Sequence, residues 1–223
     1  MITVPQKFFR FSGWAMLLAG IVITIIQFVH LEDVPHDMEE MKYFVDVAVW
    51  THVALLLAVT VLLMGFAGLF LRHASKLKWW GWIGYGLFFS VFVFDLMHAA
   101  LQIFDYPVFF KDITTEAQMK EASDLVMSIQ MSNGPGQYIF MAMMPMAMLG
   151  TILMCIGFLR AKIISKWPSI GYLVLTVLMF VPVESVMMFI YPIQFLVWAW
   201  FGAILAFEKH PKAEVSSNPP ITA

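Results

Sequence analysis

Residues 44–71 read FVDVAVWTHVALLLAVTVLLMGFAGLFL, an apolar run broken by only two ionisable side chains, Asp46 and His52. About 20 apolar residues at a rise of about 1.5 Å each cross the roughly 30 Å of hydrocarbon in a bilayer, so this stretch predicts a transmembrane helix. The same pattern recurs at Phe11 to Leu31, Trp79 to Ile103 and Tyr138 to Leu159. A last stretch from Pro168 to Phe207 is too long for one span. Its Tyr191-Pro192 pair removes a backbone donor, which divides it into 169–190 and 193–207.

The whole composition agrees with that local reading. Of 223 residues, 61% are hydrophobic and only 13% charged, with a mean hydropathy of +0.82, well outside the usual balance of a water-soluble globule. Thirteen Lys and Arg against 15 Asp and Glu leave no positive excess for phosphates, which argues against a nucleic-acid binder. The expected fold is an all-α polytopic membrane bundle forming one domain over 1–207. Its six transmembrane helices lie at about 11–31, 44–71, 79–103, 138–159, 169–190 and 193–207.

Charge sets the expected orientation. With both termini cytoplasmic, the inner segments hold Lys7, Arg10, Arg72, Lys76, Lys78, Arg160, Lys162, Lys166, Lys209 and Lys212, ten of the 13 basic residues. The outer loops then hold ten acids: Glu32, Asp33, Asp37, Glu39, Glu40, Asp105, Asp112, Glu116, Glu121 and Asp124. The expected location is a cell membrane, with the lipid bilayer as the chain's first partner. The first span is longer than a signal-peptide core and lacks a small-x-small cleavage site, so it is expected to stay in the bundle. Trp79, Trp80, Trp82 and Trp167 gather at the inner boundary, and Tyr43, Trp50, Tyr106, Tyr138 and Tyr191 near the outer one, as interfacial belts.

Between the third and fourth spans, Thr115 and Gln118 stand at capping-box spacing, and Met119, Ala122, Val126 and Ile129 follow at helical intervals. This predicts an amphipathic outer-surface helix at about 115–131, either a cover or a lid, stopped by Asn133-Gly134-Pro135-Gly136. Residues 208–223, with Pro211, Ser216, Ser217, Pro219 and Pro220, have the composition of a disordered cytoplasmic tail. The single Cys155 lies inside the fourth span, which makes it a buried thiol without a disulfide partner.

Ionisable groups within hydrocarbon cost about 2.5–3.5 kcal/mol each on insertion scales, so function is sought among them. They are His30 beside Gln27, Asp46, His52, Asp95, His98 and Glu184, joined by the polar Gln102, Gln137 and Gln194. All fall in the expected outer half, while the inner half carries essentially none. Asp95, His98 and Gln102 share one helix face at i, i+3 and i+7, and Gln27 and His30 share another. Asp95, His98 and Glu184 sit roughly 8–12 Å below their span ends, where inward-facing stripes would converge. Pro182 beside Glu184 would open the packing next to its carboxylate.

Clustered imidazoles with a carboxylate suit a transition metal ion, and two facing imidazoles suit an axially held haem b. On this reading His52, His98 and Asp95 are the metal ligands, and His30, His52 and His98 hold the cofactor. Without a metal, Asp95 and Glu184 become the catalytic acid or base. The chain would then serve electron transfer or chemistry on a lipophilic small molecule. Two other readings stand beside it: a proton-coupled carrier or efflux protein using Asp95, His98 and Glu184, and a structural or immunity-type subunit. Whether the chain is an enzyme, and its oligomeric state, stay open. Of the 18 methionines, Met141, Met144 and Met148 form a stripe with Gln137, Thr151 and Cys155, which reads as gap-filling packing more readily than as a copper path. Gly65 with Gly68 and Gly81 with Gly84 read as sites of close helix approach.

Phe28-Val29-His30 leading into an acidic segment, Trp50-Thr51-His52, and Gly65-Phe66-Ala67-Gly68-Leu69 before Arg72 together resemble a broad set of small uncharacterised bacterial multi-pass membrane proteins. The resemblance covers about the first hundred residues and implies no activity. It draws attention to His30 and His52 as a pair.

Overall fold

A computed structural model describes residues 4–131, 134–180 and 184–208, excepting the side chains of 135 and 184–187. The described residues form seven α-helices: α1 Gln6–Val29, α2 Met38–His73, α3 Trp79–Phe109, α4 Glu116–Gln130, α5 Pro135–Ala161, α6 Trp167–Leu178 and α7 Glu184–Phe207. Five of them, α1, α2, α3, α5 and α7, hold segments long and apolar enough to cross a membrane.

Local chemistry sets several helix ends. Asp37 caps α2, its carboxylate accepting from the Glu39 and Glu40 amides at 2.9 and 2.8 Å, and those two acids sit where the helix dipole favours negative charge. The Thr115 and Gln118 capping box opens α4 with both reciprocal bonds in place. Pro135 occupies the first turn of α5, where its missing N–H is no loss, and Lys162 at φ 52° closes that helix in the left-handed region.

The long stretch 168–207 divides differently from the sequence expectation. Helix α7 runs unbroken through Pro192, and the interruption falls instead between α6 and residue 184. Proline costs one backbone bond, which a membrane helix tolerates when neighbours cover the freed carbonyl. Helix α6 ends at Leu178, and Met179 and Phe180 after it form a turn. The fifth expected span, 169–190, is thereby divided between α6, whose 12 residues cover only about 18 Å, and the start of α7, which also carries the sixth. The expected tail at 208–223 lies outside the described residues beyond Glu208, as does Asn133 of the expected turn.

Packing closes on itself. Helix α1 packs on α2, α2 on α3, α3 on α5, α5 on α6, α6 on α7 and α7 back on α1. Two crossings are close because glycine backbones meet there. A Cβ on Gly13 would fall against Ala206 and the Gly202 carbonyl, and one on Gly84 would lie 2.7 Å from the Met154 nitrogen. Inside the circuit, Trp198 of α7 is 1% exposed and is the hub of an aromatic core. Its ring centroid lies 4.6 Å from Phe66, 5.1 Å from Phe88 and 5.1 Å from Tyr172, joining α2, α3 and α6 to α7.

The two ends of the bundle differ in chemistry. At the basic end Arg72 makes a bidentate pair with Glu208, at 2.9 and 2.7 Å, tying the close of α2 to the close of α7. Arg160 lies 5.6 Å above the Trp80 ring there. At the acidic end, Ala122 and Val126 of α4 pack onto Phe44 of α2 and onto Tyr106 and Phe110. The α1–α2 connection is pinned to α3 at the same end: Gln102 Nε2 donates to Asp33 Oδ1 at 3.0 Å and to the Tyr106 hydroxyl at 2.8 Å, and that hydroxyl donates to the Asp33 carbonyl at 2.9 Å.

Candidate functional site

Helix α1 ends at Val29, which leaves His30 at its C-cap. His52 of α2 is 3% exposed. The two imidazoles face each other, Nε2 to Nε2 at 3.1 Å, with ring planes at 68°. His52 Nδ1 lies 2.7 Å from the Ala48 carbonyl. A carbonyl only accepts, so Nδ1 carries the hydrogen and the neutral ring presents a lone pair at Nε2. His30 Nε2 is therefore the donor of the pair. One hydrogen lies between the two rings, and the bond fixes the tautomer of both.

His98 of α3 stands behind this pair, its ring centroid 6.5 Å from that of His52 and 6.1 Å from that of Phe140. It makes no hydrogen bond to the described residues. Asp95 lies one turn earlier on the same helix. All four residues line a cavity of about 960 Å³ at the acidic end. The α1–α2 connection lines it with Glu32, Asp33 and Val34, and α4 with Met127. The buried Thr151, Tyr172 and Thr176 line it deeper in the bundle. From Phe140 to Thr151 along α5 the cavity wall spans about 16 Å. The walls are mainly apolar, with Leu55, Val91, Met143, Met144 and Met148 among them.

Gln27, His30, His52, Asp95, His98 and Gln194 thus meet in one cavity. Other candidates do not join them. Asp46 faces a separate small groove with Lys42 and Lys111. Gln102, expected on the Asp95 and His98 face, is spent holding Asp33 and Tyr106. The Glu184 side chain lies outside the described residues. Among the described residues no group of three or more His, Cys, Asp and Glu side chains could hold a metal ion. That departs from the expected His52, His98 and Asp95 ligand set, and the engagement of both His52 nitrogens, with Ala48 and with His30, gives a physical reason.

Some lining residues carry no signal in the sequence. Met127 and Met179 look like ordinary helix packing, and Tyr172 and Thr176 lie on the short α6. The fourth-span stripe splits: Met144, Met148 and Thr151 line the cavity, Met141 and much of Met144 are exposed on the outside, and Cys155 is in the core. At the basic end His73, expected just beyond its span, is fully buried inside α2. It donates through Nδ1 to the Leu69 carbonyl at 2.8 Å and stacks on Phe158, so the inner half is not free of ionisable groups. No family model, curated protein or solved structure matches this chain.

Proposed function

We propose that the chain is an integral membrane protein that binds a lipid-soluble small molecule in the cavity at its acidic end. The observation that carries this reading is the cavity itself: about 960 Å³ walled mainly by apolar side chains, with three imidazoles and a carboxylate converging on it. The walls suit an apolar body, and His30, His52, His98 and Asp95 supply a polar end able to exchange protons with it. The charge asymmetry of the loops supports an outer-leaflet position for the cavity and a cytoplasmic position for both termini. Organic extraction of the detergent-purified protein, followed by mass spectrometry, tests the proposal. A stoichiometric lipid-soluble compound is expected from the wild type and is lost in Ala147→Phe, which puts an aromatic ring into the cavity. An extract from the folded wild type that holds only lipid, unchanged in Ala147→Phe, would overturn it.

A second reading, a haem b or metal ion held by the same histidines, is favoured by the facing Nε2 atoms of His30 and His52. A haem iron bonded at about 2.0 Å to both nitrogens in trans would need them about 4 Å apart, about 1 Å wider than they stand, whereas a tetrahedral ion would need only about 3.3 Å. Electron transfer would follow from such a centre. A visible spectrum with elemental analysis tests this reading. A Soret band or a stoichiometric metal lost in His52→Ala would establish it, and a colourless, metal-free and folded protein would remove it.

A further inference from the structure

Three polar groups on the cavity wall are not spent on the protein itself. The Gln194 Nε2 atom on α7 is buried and has no hydrogen-bond partner among the described residues. His98 and Asp95 make no hydrogen bond to the described residues either. By contrast, His30 and His52 satisfy each other, and the Thr176 hydroxyl donates to the Tyr172 carbonyl at 2.8 Å. A buried amide N–H left without an acceptor carries a desolvation penalty, and such groups in native proteins call for a partner.

We infer that the molecule bound here carries a hydrogen-bond-accepting carbonyl on an aromatic-sized ring, a quinone-class head on an apolar tail, with the Gln194 amide turning its buried Nε2 into the cavity to donate to that carbonyl. This rests on the cavity being a ligand site, as proposed above. Three features of the wall select the class. Gln194 offers N–H donors and the imidazole of His98 another, which an acceptor on the ligand satisfies. Met127, Met143, Met144, Met148 and Met179 line the same space, and thioethers make favourable contacts with aromatic ring edges. Glu32, Asp33 and Asp95 line it too, with no Lys or Arg among the described lining residues, which opposes a carboxylate or phosphate head. A neutral carbonyl compound meets all three conditions, whereas a fatty acid or an anionic lipid fails the last.

The test is calorimetric titration of the full chain in detergent with decylubiquinone, decylbenzene and decanoic acid. Decylubiquinone is expected to bind at least about fivefold more tightly than decylbenzene, with decanoic acid the weakest. Gln194→Met keeps the side-chain length and removes the amide. It is expected to weaken decylubiquinone binding about fivefold to tenfold, the value of one hydrogen bond, while decylbenzene affinity stays within about twofold. The decylbenzene titration shows in the same preparation that the variant's cavity is intact, and Gln194→Leu repeats the test if Gln194→Met does not fold. Equal binding of the ring compounds to the wild type, a preference that survives loss of the amide, or tightest binding by decanoic acid would overturn the inference and leave the ligand site standing. Failure of all three compounds to bind the folded wild type would overturn the site as well.

Discussion

His52 combines two demands that a single side chain seldom meets inside a membrane helix: nearly complete burial, and a hydrogen bond at each ring nitrogen. Its two partners are unequal. Ala48 is on its own helix, whereas His30 belongs to α1 and is only half-buried. Replacing His52 by Leu leaves the His30 Nε2–H facing an apolar neighbour, at a cost of about 1–3 kcal/mol. His30→Ala leaves a lone pair that cavity water can reach, and is expected to cost less. Urea unfolding in mild detergent should give that order. A double-mutant cycle should return a coupling of about 0.5–1.5 kcal/mol, and additive effects would mean that the two rings are not bonded. Tyr106→Phe, at the same scale, deletes the hydroxyl shared by Gln102 and the Asp33 carbonyl. It should cost about 1–2 kcal/mol and make the 30–37 connection more sensitive to protease.

Among the elements, α4 begins with a complete capping box. Thr115→Ala removes the hydroxyl that accepts from the Gln118 amide and should cost about 1 kcal/mol. Faster hydrogen exchange confined to the first turn of α4 would report it, with the spanning helices unchanged. That device was legible in the sequence because a capping box is a local spacing rule. The long helices were legible for a similar reason, since the bilayer asks only for an unbroken apolar length. Division of 168–207 was not legible. Whether Pro192 ends a helix depends on which neighbours cover the freed carbonyl, and no local pattern encodes those neighbours. The site divides along the same line. His52, Asp95 and His98 could be found as costly polar groups in apolar runs. Spacing alone could not separate Gln102, which pins a connection, from Gln194, which faces the cavity. Met127 and Met179 look identical to packing methionines until the helices are placed around the cavity.

For the whole molecule, the closed circuit of helices leaves one end filled and the other hollow. Around Trp198, aromatic rings from four helices fill the interior, and Trp198→Ala should cost about 3–5 kcal/mol. Bulk at Gly13 would separate α1 from α7, so Gly13→Leu should abolish a monodisperse gel-filtration peak. Toward the acidic end the same helices diverge around about 960 Å³. An apolar hollow of that size bordered by imidazoles is better explained by an occupant than by packing, because a well-packed interior leaves few voids larger than a water molecule. The central claim, that a lipid-soluble molecule occupies this hollow, is tested most directly by photolabelling the protein in detergent with an alkyl diazirine and mapping the adducts by mass spectrometry. The expected result is labelling concentrated on Met143 and Met148 and lost in Ala147→Phe. Labels spread over outward residues such as Leu57 and Phe104, equal in both proteins, would contradict it.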